Sequence, residues 1–172
     1  ESSWRHAFDV RRSPALPSFA AVGAMLVALF LVWLYTAQSI YTTFFGDRPP
    51  ASIGSFLEQV LFTSAGWKLI IFGNITGFIF AVIALATTVI AFPLLLDRDV
   101  GAVAAIETSA RAVLANPGPM AMWGLIVAIL LVIGSIPLFA GLAVVVPVLG
   151  HATWHLYRKV VEPDHGEVRR PM

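Results

Sequence analysis

Two histidines near the C-terminus are the residues best placed to do chemistry. His151 and His155 are four apart, so on an α-helix they share a face and could bind one metal ion through imidazole nitrogens. No glutamate lies between them, so the general base of the zinc-protease motif is missing. Two ligands do not complete a site, and the side chains that could add to them are His6, Asp97, Asp99, Glu107 and His165.

A structural role is the alternative for this pair. Trp154 and Tyr157 stand beside the histidines, as expected at a membrane interface, where imidazoles hydrogen-bond neighbouring helices. Haem ligation by the pair has poor geometry, because axial ligands approach the iron from opposite faces. We therefore predict no enzymatic activity and no cofactor, with bound lipids expected and metal binding at His151 and His155 kept as a hypothesis.

The composition places these histidines in a membrane protein. Of the 172 residues, 58% are hydrophobic and 12% are charged, whereas soluble domains carry roughly 25% charged residues. There are 0 cysteines, which excludes disulfides, iron–sulfur clusters and cysteine nucleophiles. The net charge of +1 gives no reason to expect nucleic-acid binding.

Long charge-free stretches predict four transmembrane helices, since a bilayer core needs roughly 20 apolar residues. The last stretch is too long for one crossing, so we place a hairpin tip at residues 134–137. The fold class is therefore an all-α polytopic membrane protein with short interfacial amphipathic helices. The expected spans are residues 18–44, 69–96, 119–134 and 138–157.

The basic residues predict the orientation of this bundle. Nine of the 11 lysines and arginines fall in the N-terminal segment, the connection between the second and third spans, or the tail; only Arg48 and Lys68 fall on the other side. By the positive-inside rule both termini are cytoplasmic. We divide the chain into an amphipathic N-terminal segment (1–17), a transmembrane bundle (18–160) and a cytoplasmic tail (161–172).

Two connections have the periodicity of amphipathic helices. Residues 52–66 repeat apolar side chains on one face, which predicts a helix on the outer membrane surface. Residues 99–115 repeat the pattern on the cytoplasmic side, with Asp99 as the expected cap. The apolar face expected there is Val103, Ile106, Ala110, Val113 and Leu114.

Small residues at helical spacing mark faces on which transmembrane helices could pack closely. The predicted helix-packing positions are Ala20, Ala24, Ala28, Gly73, Gly77, Ala81, Gly124 and Ala128. Asn74 is an amide inside the second predicted span, and we expect it to bond a neighbouring helix. No Asp, Glu, Lys or Arg lies inside a predicted span, which argues against ion-coupled transport.

Three segments carry a resemblance to a known family. They are residues 92–98 (FPLLLDR), 112–119 (AVLANPGP) and 147–161 (PVLGHATWHLYRKVV). In this order they resemble a family of bacterial integral membrane proteins, domain of unknown function 2189, along nearly the whole chain. The resemblance implies a multi-pass protein of the bacterial inner membrane and brings no site residues. Family members usually carry a further apolar hairpin upstream, so we expect six spans in the full protein.

Three functions fit these features. The first is an accessory or structural subunit that stabilises a larger membrane complex, such as a respiratory or photosynthetic one. The second is a small channel, permease or lipid-handling protein. The third is a metal- or haem-handling protein that uses His151 and His155. The expected partners are membrane lipids and other integral membrane subunits.

Overall fold

The computed structural model describes residues 16–47 and 50–161, and these residues form seven α-helices and no strand. The expected all-α fold is confirmed. Residues 1–15, Arg48, Pro49 and the tail beyond residue 161 lie outside the described ranges, and so do His6, His165 and the predicted N-terminal amphipathic segment. In chain order the helices are α1 (Leu16–Phe45), α2 (Ile53–Phe62), α3 (Ser64–Thr88), α4 (Ala91–Asp97), α5 (Ala102–Ala115), α6 (Pro117–Ser135) and α7 (Leu142–Val160).

Three helical stretches of the described chain are long and apolar enough to cross a membrane, namely Leu16–Phe45, Ser64–Asp97 and Pro117–Ser135. The expected fourth span corresponds to α7, which is also 19 residues long. The second half of α7 is more polar than the other stretches, because it contains both histidines, Arg158 and Lys159. Four spans are therefore roughly consistent with the helices.

The contacts divide the chain into two compact units, which we call the N-terminal unit (Ala20–Leu85) and the C-terminal unit (residues 16–19 and 86–161). Aromatic contacts join the three helices of the N-terminal unit. Phe44 of α1 lies 5.6 Å from Phe72 of α3, measured between ring centroids. Tyr41 of α1 lies 6.4 Å from Phe56 of α2.

The amphipathic helix expected over residues 52–66 is shorter than predicted. It begins with a capping box between Ser52 and Ser55 and ends at Phe62. Thr63 then accepts a hydrogen bond from the Gly66 backbone N–H at 3.0 Å, which starts α3. A Cβ at Gly66 would overlap the carbonyl oxygens at the end of α2, so the tight corner between the two helices requires glycine.

The core of the C-terminal unit surrounds the junction of α3 and α4. α4 packs on α5 and α7, while α6 contacts both α5 and α7. Ile90, Ala91 and Ala105 are completely buried, and Leu94 and Leu95 are nearly so.

The predicted second span is interrupted at Val89 and Ile90, between α3 and α4. Pro93 explains the break, because its ring clashes with the carbonyl four residues earlier and it has no N–H to donate. The backbone N–H of Ile90 donates instead to the hydroxyl of Ser109 on α5, at 3.1 Å. Both residues are 0% exposed, so a tertiary hydrogen bond supplies the acceptor that the Ile90 N–H lacks where the helix is interrupted.

The apolar face expected on α5 coincides only in part with the buried face, since Ile106, Ala110 and Val113 are half-buried. Val103 and Leu114 are each 79% exposed, whereas Ala105 and Ser109 are buried. The small residues face inward because they let α5 approach α4 closely. The expected cap was also wrong: Gly101 precedes the helix and no side chain caps it.

Candidate functional site

A polar cluster lies where α7 ends beside α4. The buried hydroxyl of Tyr157 donates a hydrogen bond to Asp97 Oδ2 at 2.7 Å. Arg98 Nε lies 3.8 Å from the same carboxylate oxygen, and the side chains of Asp97 and Arg98 are both about 40% exposed. The cluster therefore fixes the end of α7 to the end of α4 at a position that water reaches.

The start of α1 lies in the same region of the C-terminal unit. Ser18 donates from its hydroxyl to the Val100 carbonyl, at 3.4 Å, in the connection between α4 and α5. Phe19 stacks on Phe92 of α4 with 6.1 Å between ring centroids. The start of α1, the α4–α5 connection and the end of α7 thus meet at one end of this unit.

His151 and His155 are both exposed on α7. Nδ1 of His151 lies 3.0 Å from the Pro147 carbonyl one turn earlier, so the tautomer with a protonated Nδ1 donates to it. That tautomer leaves the Nε2 lone pair for a metal ion or another hydrogen bond, a common arrangement for metal-bound imidazoles.

The predicted additional ligands do not join this pair within the described residues. Asp97 is bonded to Tyr157, and Glu107 forms an ion pair with Arg111 one turn along α5. In residues 16–47 and 50–161, no three histidine or acidic side chains are grouped as a metal site would require. Metal binding by the two histidines stays a hypothesis.

The predicted packing residues of α1 face outward. Ala20, Ala24 and Ala28 are all exposed, and their spacing puts them on one side of the helix. We call these three residues the alanine stripe. On α6, Gly124 is half-buried and Ala128 is exposed.

The glycine positions of α3 divide between two environments. A Cβ at Gly73 would meet no atom within 4 Å, so this position is open. A Cβ at Gly77 would lie 4.0 Å from the indole nitrogen of Trp33 on α1. Gly77 and Ala81 therefore face α1 within the N-terminal unit.

Between α1 and α3 lies an open, almost wholly apolar groove of about 310 Å³. Gly77 lines this groove, and a larger side chain there would contact Trp33 and take up part of its volume. A groove of this kind can hold an acyl chain or an apolar side chain, but it offers few polar groups for recognition. The residues that line it are Leu26, Leu29, Phe30, Trp33, Gly77, Phe80, Ala81 and Ala84.

Several of these contacts have no local signal in the sequence. Asn74, expected to bond another helix, donates instead to the Ile70 carbonyl of its own helix at 2.7 Å. Neither Ser109 nor Trp33 stands in a sequence motif. Pairings such as that of Tyr157 with Asp97 join residues 60 positions apart, which only the fold brings together.

A match to a family model shows which protein family the chain belongs to. Residues 1–97 match the family described as predicted integral membrane protein, DUF2189. The chain belongs to this family. Comparisons with curated proteins and with solved structures found no significant match.

The match to this family is shorter than the resemblance suggests. It reaches α4, so most of the 92–98 motif lies within it. The segments 112–119 and 147–161, which also carried the resemblance, lie beyond the matched residues. As a DUF2189 member the chain is an integral membrane protein with several apolar helices.

Proposed function

We propose that this DUF2189 protein is a non-enzymatic accessory or structural subunit that packs against a larger complex in the bacterial inner membrane. The observation that most supports this is the exposed alanine stripe of α1. Small side chains let helix backbones approach closely, whereas a face that meets only lipid gains nothing from them. The stripe therefore fits an apolar transmembrane helix of another subunit.

The polar groups of the C-terminal unit support a structural role. The Tyr157 hydroxyl is bonded to Asp97, and the Ser109 hydroxyl accepts from the Ile90 backbone. Each of these bonds joins two helices. We infer that such groups hold the fold together and do not act on a substrate.

We also propose that both termini are cytoplasmic. The start of α1, the α4–α5 connection and the end of α7 lie at one end of the C-terminal unit, as a shared membrane face requires. Arg98, Arg158 and Lys159 belong to this end, and basic residues favour the cytoplasmic side.

Copurification from native membranes in mild detergent tests the subunit proposal. We expect the wild-type protein to be recovered with partner proteins in constant ratio. Ala24→Leu should release them, because the added bulk separates the packed helices. Ala143→Leu is the matched control, since it makes the same change at an exposed position of α7 outside the stripe. Recovery of a wild-type monomer without partners would refute the proposal.

The groove between α1 and α3 favours a second candidate function, lipid handling. An apolar groove of about 310 Å³ could accommodate part of an acyl chain. If so, Gly77→Leu should fill it and lower lipid transfer between vesicles. Gly73→Leu is the control, because its side chain would enter open space. Equal transfer by the two variants would exclude the groove as a lipid site.

A further inference from the structure

The turn between α6 and α7, residues 136–141, is apolar throughout. Ile136, Leu138 and Phe139 are 75%, 92% and 68% exposed. Leu138 and Phe139 have φ angles of 50° and 67°, in the left-handed region where turns usually carry Gly, Asn or Asp. Two large apolar side chains therefore project from positions where a turn facing water would gain from polar residues.

Most backbone N–H groups of this turn are bonded within the hairpin. Ser135 donates its hydroxyl to the Leu131 carbonyl at 2.7 Å. A segment in hydrocarbon must satisfy its backbone groups internally, because no water is present to bond them. Backbone N–H groups in and beside the turn donate to nearby carbonyls at 2.9 to 3.3 Å, from Ile136, Leu138, Phe139, Ala140 and Leu142.

The end of the hairpin opposite the turn, at Tyr157, lies beside charged side chains. Tyr157 is bonded to Asp97, whose carboxylate is partly exposed and lies beside Arg98. Charged side chains are costly in hydrocarbon, so this end belongs to the headgroup region. The histidines of α7 then lie between this end and the turn.

The length of α7 limits how deep the turn can reach. From Tyr157 to Gly141 α7 rises about 24 Å at 1.5 Å per residue, so it is the shorter arm of the hairpin; α6, with 19 residues, measures about 28 Å. The hydrocarbon core alone is about 30 Å thick, and the headgroups add to it on each side. α1, with 30 residues, measures about 45 Å and is long enough for the whole bilayer.

We propose that the α6–α7 hairpin enters the membrane from one face and that its turn ends inside the hydrocarbon core, covered by acyl chains. Both ends of the hairpin stay on the same face, as the four-span topology also requires, but the turn does not emerge on the other side. The proposal does not depend on the protein being a subunit of a complex.

Single-cysteine variants test this directly, because the chain has 0 cysteines of its own. Leu138→Cys and Phe139→Cys place a thiol in the turn, while Ser52→Cys and Asp99→Cys are exposed controls in two other connections. The full chain is treated with a membrane-impermeant maleimide in spheroplasts and in inside-out vesicles. We expect each control to react from one side and the turn cysteines to react only after detergent is added.

The depth of the turn in the bilayer is measured on the same variants after purification and reconstitution into lipid vesicles. A bimane label on the thiol of the Leu138→Cys variant should be quenched at least twofold more by lipids with a mid-chain nitroxide than by lipids with a headgroup nitroxide. Maleimide labelling of the turn from either side without detergent would overturn the proposal. Failure of both nitroxides to quench would also overturn it, because the turn would then be covered by protein.

Discussion

Single polar side chains stabilise the C-terminal unit at points where the helices leave backbone groups without partners. The clearest case is Ile90, whose N–H follows the break caused by Pro93 and is bonded by Ser109. A buried N–H without an acceptor costs about 1–3 kcal/mol. Ser109 therefore contributes more to stability than its small size suggests.

Ser109→Ala should lower the free energy of unfolding by about 1–3 kcal/mol, because the buried Ile90 N–H loses its acceptor. Thermal unfolding in detergent measures the effect. Thr108→Ala is the control, since the Thr108 hydroxyl bonds only the Ala104 carbonyl of its own helix. Equal unfolding temperatures for the two variants would show that the Ile90–Ser109 bond contributes little.

Tyr157→Phe should destabilise the protein by about 1 kcal/mol, because Asp97 loses the hydroxyl that fixes α7 to α4. The loss is modest since water can reach the carboxylate. In an Asp97→Ala background the same change should cost almost nothing, and a double-mutant cycle measures this coupling. Tyr35→Phe, at a residue 77% exposed, is the control. Additive effects would argue against the bond.

The two exposed histidines lead to a prediction about metal content. We expect the purified protein to contain no stoichiometric zinc, because two imidazoles without further ligands bind a metal ion weakly. Elemental analysis of wild type and His151→Ala measures this. One zinc per chain that His151→Ala removes would instead establish a metal site, completed by residues outside the described ranges or by a partner.

At the scale of elements, α6 and α7 approach each other closely beside the turn that joins them, where Gly134 and Gly141 meet. A Cβ on Gly141 would lie 2.7 Å from the Gly134 carbonyl oxygen and 2.8 Å from Gly134 Cα. A Cβ on Gly134 would instead lie 2.9 Å from the end of the Leu142 side chain. Backbone atoms cannot rotate away as the end of a side chain can, so Gly141 should tolerate a substitution by alanine less well than Gly134.

Gly141→Ala should therefore destabilise the hairpin more than Gly134→Ala, by about 1–3 kcal/mol for the tighter site. Gly150→Ala is the matched control on α7, because its Cβ would meet no atom within 4 Å. It should leave stability unchanged or raise it by up to about 1 kcal/mol through helix propensity. Unfolding in detergent ranks the stabilities of the three variants. If Gly134→Ala were more destabilising than Gly141→Ala, the close backbone contact at Gly141 would be contradicted.

At the scale of the whole molecule, the basic residues set the expected orientation. A fluorescent protein fused after Met172 should fluoresce, and alkaline phosphatase at the same position should be inactive, if the tail is cytoplasmic. Insertion of the same reporters at Ser52 should give the opposite pattern and serves as the control. An active phosphatase at the C-terminus would reverse the orientation and contradict the positive-inside assignment.

The helices themselves were largely predictable, because a run of apolar residues is a local property. The predicted first and third spans, 18–44 and 119–134, agree with α1 and α6 to within two residues at each end. The break that divides residues 69–97 into two helices was harder to predict from the sequence. Pro93 causes the break, but the break occurs four residues earlier, at the clash of its ring with the preceding turn.

The faces of the helices were decided only by the tertiary structure. On α5, the predicted apolar positions Val103 and Leu114 are exposed, and the buried positions are Ala105 and Ser109. The alanine stripe faces outward, whereas Gly77 and Ala81 face a neighbouring helix. The sequence alone determined membrane residence and the approximate helices. It could not determine their partners, because lipid-facing and buried positions are both apolar, so no contrast in hydrophobicity marks the packed face.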